Sequence, residues 1–253
     1  MTPPKTVAVV GFKDSGKTRV VEALVGELTH KGYRVGTVKH TAENIGFDTP
    51  GKDTSRHRAA GAVASAILHD NTAALFLDTH IAISDAVRCL GPIDFLIIEG
   101  FKTLDTHARI LVPRGDGDVD KLRNGLELAA VKMPGSAFNS GGHIEVVELS
   151  DVAKLARLVE SKAYAMLPGV DCQGCGYSDC RSLGKAILSG DADATMCARN
   201  LTAFMLKVNG ESTPLNNFTR RILTNVLTSI IKTLKGAESI DRVELAFQTP
   251  HDG

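Results

Sequence analysis

No stretch of this sequence approaches the roughly 18 apolar residues that a bilayer-spanning helix needs. An excess of charge of one sign is missing too. Its 29 basic and 29 acidic side chains give a formal net charge of +0, so whole-chain charge points to neither nucleic acid nor an anionic membrane, and no nucleic-acid partner is expected. The opening MTPPKTVAVVG lacks both a long apolar stretch and a small-residue cleavage site, so no signal peptide is expected and a cytoplasmic location is. Cysteine is absent from most of the chain. Cys89 stands alone, and Cys172, Cys175, Cys180 and Cys197 fall in one short segment. A secreted disulfide framework would not be so uneven. Cys89, within AVRCLGP, is expected to be a buried small hydrophobe.

What is present is a chain of 253 residues, 43% hydrophobic, enough for one large domain or a medium one with a smaller companion. GFKDSGKT, from Gly11 to Thr18, is a complete glycine-x4-glycine-lysine-threonine loop. The apolar run Val7 to Val10 precedes it and reads as a buried parallel strand. RVVEALVGELTHKG follows with helical spacing: Val20, Ala23, Leu24 and Leu28 share one face and Gly32 stops the helix. Glycines let backbone amides turn toward phosphate oxygens, and the helix that follows presents its positive end. Lys17 would reach the outer phosphates and Thr18 would ligate magnesium.

YRVGTVKH is a second strand, ending in Lys39 and His40. FDTPGKDTSRHRAAGA gathers Asp48, Lys52, Asp53, Arg56, His57 and Arg58 into a loop and helix start, read as a nucleotide-sensing or second-anion segment. TAALFLD and IDFLIIEG are two more apolar strands. The second begins at Asp94, read as capping or solvent-facing, and ends in Glu99, an acid placed to orient metal-bound water. ARILVP, LELAAV and HIEVVEL are further strands. SDVAKLARLVES is a helix with Ser150 or Asp151 as N-cap, and MPGSAFNSGGH is a surface loop. Strands alternating with helices to about residue 160 predict a three-layer α/β domain with a mostly parallel sheet. No asparagine-lysine-x-aspartate motif occurs, so GTP and ATP both stay open.

The late cysteines are separated by two, four and sixteen residues. Four soft ligands suit a tetrahedral zinc site or an iron–sulfur cluster; a redox-active or unligated group is the third reading. Gly174 and Gly176 permit tight turns around sulfur, the helical CRSLGKAILSG carries the chain to Cys197, and Pro168–Gly169 marks a boundary between modules.

GFKDSGKT, VKH at Val38 to His40, DTPGKDTSRHRAAGA from Asp48 and EGFK from Glu99 to Lys102 together resemble the molybdopterin-guanine dinucleotide biosynthesis protein B (MobB) family, a P-loop GTPase-like family linked to molybdenum cofactor maturation. The resemblance implies that Gly11, Asp14, Ser15, Gly16, Lys17 and Thr18 hold GTP and Mg2+, with Asp48 and Glu99 completing that site and Lys17 and Glu99 serving any slow hydrolysis. Lys39, His40, Lys52, Asp53, Arg56 and Lys102 become candidates for a second ligand or a switch. It also implies a homodimer working beside molybdopterin, its guanylyltransferase, or a molybdenum or tungsten enzyme. The block CQGCGYSDCRSLGKAILSGDADATMC, with Gly176, Ala186, Gly190 and the distant Cys197, resembles the small four-cysteine domain that binds [4Fe-4S], with zinc as the alternative.

The expected organisation is a P-loop domain over 1–163, an iron–sulfur module over 164–210 and a helix–strand extension over 211–253. In the extension, Leu215, Phe218, Ile222, Val226, Ile230 and Leu234 lie at helical spacing, with Leu223, Leu227 and Ile231 widening the stripe. IDRVELAF then reads as a strand. The helix is expected to pack on its own protein, with peripheral membrane contact through 215–235 as the other reading. Three functions follow: a GTP-binding accessory protein of cofactor maturation, a nucleotide-dependent metallocentre-assembly or electron-transfer adaptor, and a non-catalytic scaffold with structural zinc.

Overall fold

The computed structural model describes residues 3–41, 46–79, 81–140, 142, 144–197, 206–209, 211–213, 217–234, 243 and 245. The chain begins with β1 (Lys5–Val10), α1 (Lys17–His30), β2 (Val35–Lys39), α2 (Asp53–Ala59), β3 (Ala64–His69), β4 (Thr72–Leu77) and α3 (Ile83–Cys89). Next come β5 (Phe95–Glu99), β6 (Ala108–Leu111), α4 (Asp116–Leu122), β7 (Glu127–Lys132), β8 (Val146–Glu148), α5 (Val152–Lys162) and β9 (Tyr164–Ala165). The C-terminal part holds α6 (Cys180–Ser189), a short 3-10 turn at Ala194–Met196, β10 (Leu206–Val208), β11 (Glu211–Thr213) and α7 (Asn217–Ile231).

The main sheet runs β2-β5-β1-β6-β7-β8, all parallel, and β9 pairs antiparallel with the start of β1. A central parallel strand is covered on both faces, which is why Val7 to Val10 and Phe95 to Ile98 are uninterrupted apolar runs. Side chains alternate across the sheet. Val7 and Val9 join α1 and α5 residues such as Leu24, Leu28 and Leu155 on one side. Ala8 and Val10 meet Ile83 and Val87 of α3 and Val119 and Leu122 of α4 on the other. This is the expected three-layer α/β arrangement.

Local choices agree with the packing. Val20, Leu24 and Leu28 are fully buried at four-residue spacing, and α1 ends before Gly32, whose φ of 89° is left-handed. Asp151 caps α5, its carboxylate accepting from Lys154 N at 3.2 Å. Asp94 faces outward and accepts from Arg34 N and from its guanidinium at 2.8 and 2.9 Å.

Two expectations need revision. TAALFLD is a strand, but as β4 it pairs with β3 in a separate antiparallel ribbon instead of joining the main sheet. Asp70 and Asn71 form its two-residue turn, Asp70 with positive φ, and Ile67, Leu68, Leu75 and Leu77 remain exposed. Cys89 is exposed, not buried. It closes α3 two residues beyond Val87, and a step of two on a helix turns a side chain away from the stripe that Ile83 and Val87 lay on the core. The strand expected over IDRVELAF lies outside the described residues, apart from Val243 and Leu245. The expected helix of the extension is present as α7, and its Ile222, Val226 and Ile230 are exposed.

Candidate functional site at the P-loop and the cysteine segment

The loop between β1 and α1 lies at the C-terminal edge of the sheet. Two of its residues adopt left-handed backbone, Asp14 at φ 59° and Gly16 at φ 92°. Gly16 is the N-cap of α1, and no side chain caps that end, so first-turn amides are directed out of the helix. Gly11 has no room for a side chain: a Cβ there would stand 2.3 Å from Ser15 Oγ and 2.7 Å from the Val112 carbonyl. Ser15 Oγ is buried without a hydrogen-bond partner among the described residues. Unpaired amides, an orphaned hydroxyl and a close-fitting backbone suit a phosphate chain with a magnesium ion.

Lys17 Nζ donates to the Phe12 carbonyl at 2.7 Å, folding over the loop. Burial lowers its pKa, while Glu99 works the other way and the neighbouring Lys102 and Lys39 add to the lowering. Such an ammonium gains most from a polyanion. Thr18 Oγ1 donates to Glu99 Oε1 at 3.1 Å. Lys39 Nζ reaches the same oxygen at 3.1 Å because β2 and β5 pair Lys39 opposite Glu99. Register therefore brings the Glu99 carboxylate against the Thr18 hydroxyl and the Lys39 ammonium, a set whose chemistry suits a divalent cation beside phosphate.

The EGFK segment bends sharply here. Gly100 has φ 99°, and a Cβ on it would come within 3.0 Å of the His40 carbonyl. His40 stacks on Phe101 with ring centroids 4.1 Å apart. Lys102 Nζ stands 4.6 Å from the Phe12 ring centroid and Arg114 Cζ stands 5.3 Å from it. Lys102 is legible in the sequence as part of EGFK, whereas Phe12 and Arg114 join it only in the folded chain. Arg114 follows β6, on the edge of the loop opposite Lys39, and its nearness follows only from β6 pairing with β1.

The Asp48 segment behaves differently. Asp48 Oδ1 accepts from Thr54 at 3.0 Å, and Asp48 Oδ2 lies 3.6 Å from the Arg58 guanidinium. Arg58 also pairs with Asp78 after β4, which fastens α2 to the ribbon. Lys52 is the N-cap of α2, Asp53 begins it and Arg56 lies in its last turn. The described contacts of Asp48 run to Thr54 and Arg58, and none joins it to Lys17, Thr18 or Glu99.

The cysteine segment packs at the opposite, N-terminal edge of the sheet. Cys180 opens α6, which is capped by Asp179, and its amide donates to Asp171 Oδ1 at 2.7 Å. Asp171, Gln173 and Gly176 have left-handed backbone, winding the chain tightly around Cys172 and Cys175. Cys172 is exposed, Cys175 half-buried, and Cys180 and Cys197 are buried. Cys180, Cys197 and Leu183 belong to the same core cluster as Val7 and Leu24, and Cys175 packs against it. Among the described residues, no three of His, Cys, Asp or Glu stand close enough together to hold one metal ion. The donor chemistry, four thiols with no disulfide between them, fits an iron–sulfur group.

Comparison with known proteins agrees with both regions. Residues 6–132 match the family model "Molybdopterin guanine dinucleotide synthesis protein B", and residues 167–199 match the family model "Putative Fe-S cluster". A "Putative molybdopterin-guanine dinucleotide biosynthesis adapter protein" of Methanocaldococcus jannaschii is 29% identical over 239 residues, covering 93% of this chain and 94% of that one. The molybdopterin-guanine dinucleotide biosynthesis adapter protein of Escherichia coli is 28% identical over 117 residues, 44% of this chain and 67% of that one. The crystal structure of MobB from Bacillus subtilis shares the fold with TM-score 0.53 and 24% identity, covering 63% of this chain and 98% of that one.

Proposed function

Because the chain belongs to the molybdopterin guanine dinucleotide synthesis protein B family, we propose that it binds GTP with Mg2+, hydrolyses it slowly, and acts as an accessory protein in molybdopterin guanine dinucleotide formation. The convergence of Lys17, Thr18 and Glu99 beside the glycine loop carries this reading. Lys17 and the α1 amides hold the phosphates. Thr18 and Glu99 would hold the metal ion, which would supply an activated water for hydrolysis, and Lys39 holds the carboxylate in place. Asp48, His40, Lys52, Asp53, Arg56 and Lys102 form the responsive rim where a second anion or a partner enters.

In this reading the chain is a cytoplasmic homodimer that works beside molybdopterin, its guanylyltransferase, or a molybdenum or tungsten enzyme. Residues 1–163, 164–210 and 211–253 are its nucleotide, iron–sulfur and extension parts. Cys172, Cys175, Cys180 and Cys197 bind a [4Fe-4S] cluster, which supplies one-electron chemistry when bound.

Calorimetric titration with GTP and with ATP, each with Mg2+, tests the nucleotide half. Binding of GTP in clear preference to ATP, and GTP-dependent association with the guanylyltransferase, are the expected results. Absence of triphosphate binding would refute it.

One observation favours a second reading, a redox-coupled adaptor. Cys180 and Cys197 share a core cluster with β1 and α1, the elements that flank the P-loop. In an adaptor, nucleotide would change the cluster's reduction potential and the redox state would change nucleotide affinity by the same factor.

A further inference from the structure

We propose that Lys102 and Arg114, both set against the Phe12 ring, read the third phosphate of a nucleoside triphosphate: they contact its γ-phosphate and find no partner in a diphosphate. The inference rests on the nucleotide-binding reading of the P-loop and deepens it, since the response of the rim around Lys102 then begins at the γ-phosphate.

The phosphate chain has a direction in this loop. Loop amides cradle the inner phosphates, and the loop lysine reaches the outer ones. Lys17 Nζ stands 2.7 Å from the Phe12 carbonyl, so the outer end of the chain lies beside Phe12. Lys102 Nζ and Arg114 Cζ stand 4.6 and 5.3 Å from the ring centroid of that same residue. Charge coupling agrees with the distances. Burial lowers the Lys17 pKa most and Glu99 opposes it, and Lys102 then adds more to the lowering than Lys39 does. The Arg114 pKa is raised chiefly by its bond to Asp118, with a smaller contribution from Asp14 of the loop.

Both cations are held in place. Asp118 accepts from Arg114 Nε at 2.8 Å and from Nη2 at 3.3 Å. The Lys102 segment is bent and anchored. Gly100 and Phe101 both have left-handed backbone, at φ 99° and 52°, and the Lys102 and Leu104 carbonyls accept from the buried Arg109 at 3.4 and 2.7 Å. A phenylalanine with positive φ is uncommon, and such strain persists only where the surrounding contacts impose it. Here it turns the chain back after Glu99 so that Lys102 lies over the loop. The face of the Phe12 ring attracts both cations. Two positive groups that repel each other are therefore fixed at the one end of the phosphate chain that a diphosphate lacks, and a γ-phosphate relieves that repulsion.

The test uses the full chain and calorimetry with Mg2+. Wild type is titrated first with the β,γ-imido analogues of GTP and ATP, which exclude hydrolysis during the measurement. The diphosphate of whichever nucleotide binds more tightly follows. Lys102→Ala and Arg114→Ala are each expected to weaken triphosphate binding about tenfold or more and to leave diphosphate affinity within about twofold. Lys102→Arg keeps a cation on the ring and is expected to retain the wild-type preference for triphosphate. Both side chains are exposed, so the variants are expected to melt with wild type, and melting curves check this. Equal affinity of the wild type for the two forms would overturn the inference. So would a preference unchanged in both alanine variants, or losses shared equally by triphosphate and diphosphate. A wild type that binds neither triphosphate would instead overturn the nucleotide reading itself, before any variant is compared.

Discussion

Thr18 Oγ1 and Glu99 Oε1 lie 3.1 Å apart although the residues are 81 positions apart in the chain. The contact exists because β1 and β5 are parallel neighbours, with Val9 opposite Glu99. The P-loop leaves the end of one strand just where the acid ends the other. In the proposed complex this pair would hold the magnesium ion.

Lys17→Ala should weaken triphosphate binding and leave the cysteine site untouched. A charge-assisted hydrogen bond contributes about 1.5–3 kcal/mol, or roughly ten- to over a hundredfold in affinity. Calorimetry with GTP and Mg2+, beside an iron assay, checks both halves. Unchanged affinity would remove Lys17 from the site.

Gly11→Ala should damage the loop through sterics alone. Its Cβ meets Ser15 Oγ and the backbone carbonyl of Val112, and the second cannot move without shifting β6. Overpacking of this kind costs about 1–3 kcal/mol, or roughly 2–12 °C in melting temperature for a chain of this size. Triphosphate affinity should fall with it. A variant with the wild-type melting temperature and affinity would show that the loop is looser than its geometry here.

Cys175→Ser should lower iron retention while triphosphate affinity stays within about twofold, since the thiol lies at the edge of the sheet away from the P-loop. Iron stoichiometry equal to wild type would exclude Cys175 from the ligand set.

His107 predicts a specific pH dependence. It is fully buried, and burial, with Arg109 nearby, pushes its pKa down from 6.5 to about 4. The unfolded chain therefore binds more protons than the folded one between those values, so stability rises with pH through the window and is lost as pH falls from 6.5 toward 4. A shift of that size corresponds to about 3 kcal/mol. Denaturant unfolding at pH 4.5 and 7 should show a smaller pH difference for His107→Leu than for wild type. Equal differences would mean that His107 titrates normally.

Much of this protein could be read directly from residue order. The glycine loop, the apolar runs before it and before Glu99, and the helical spacing of α1 and α5 are local patterns, because a covered parallel strand and an amphipathic helix each impose their own period on the chain. The loop that carries Gly11, Gly16, Lys17 and Thr18 is legible for the same reason, since they fall within eight consecutive residues. The cysteine spacing declared a soft-ligand set without any fold.

Other features depend on contacts between distant segments. TAALFLD has a strand's composition, but only pairing partners decide that it leaves the main sheet for a ribbon. Cys89 has the composition of a core residue, but the orientation of α3 sets it outward. Arg109 on β6, two residues after His107, is buried because the loop through Lys102 and Leu104 and the end of α4 at Leu122 fold over it and offer it their carbonyls. Arg114 reaches Phe12, and Tyr164 reaches the face of α6, only through the order β5-β1-β6 and the pairing of β9 with β1. Sequence alone determined the local conformations and the chemical groups available. Tertiary structure decided which of them meet, because side chains far apart in the chain are brought together by strand register and helix packing.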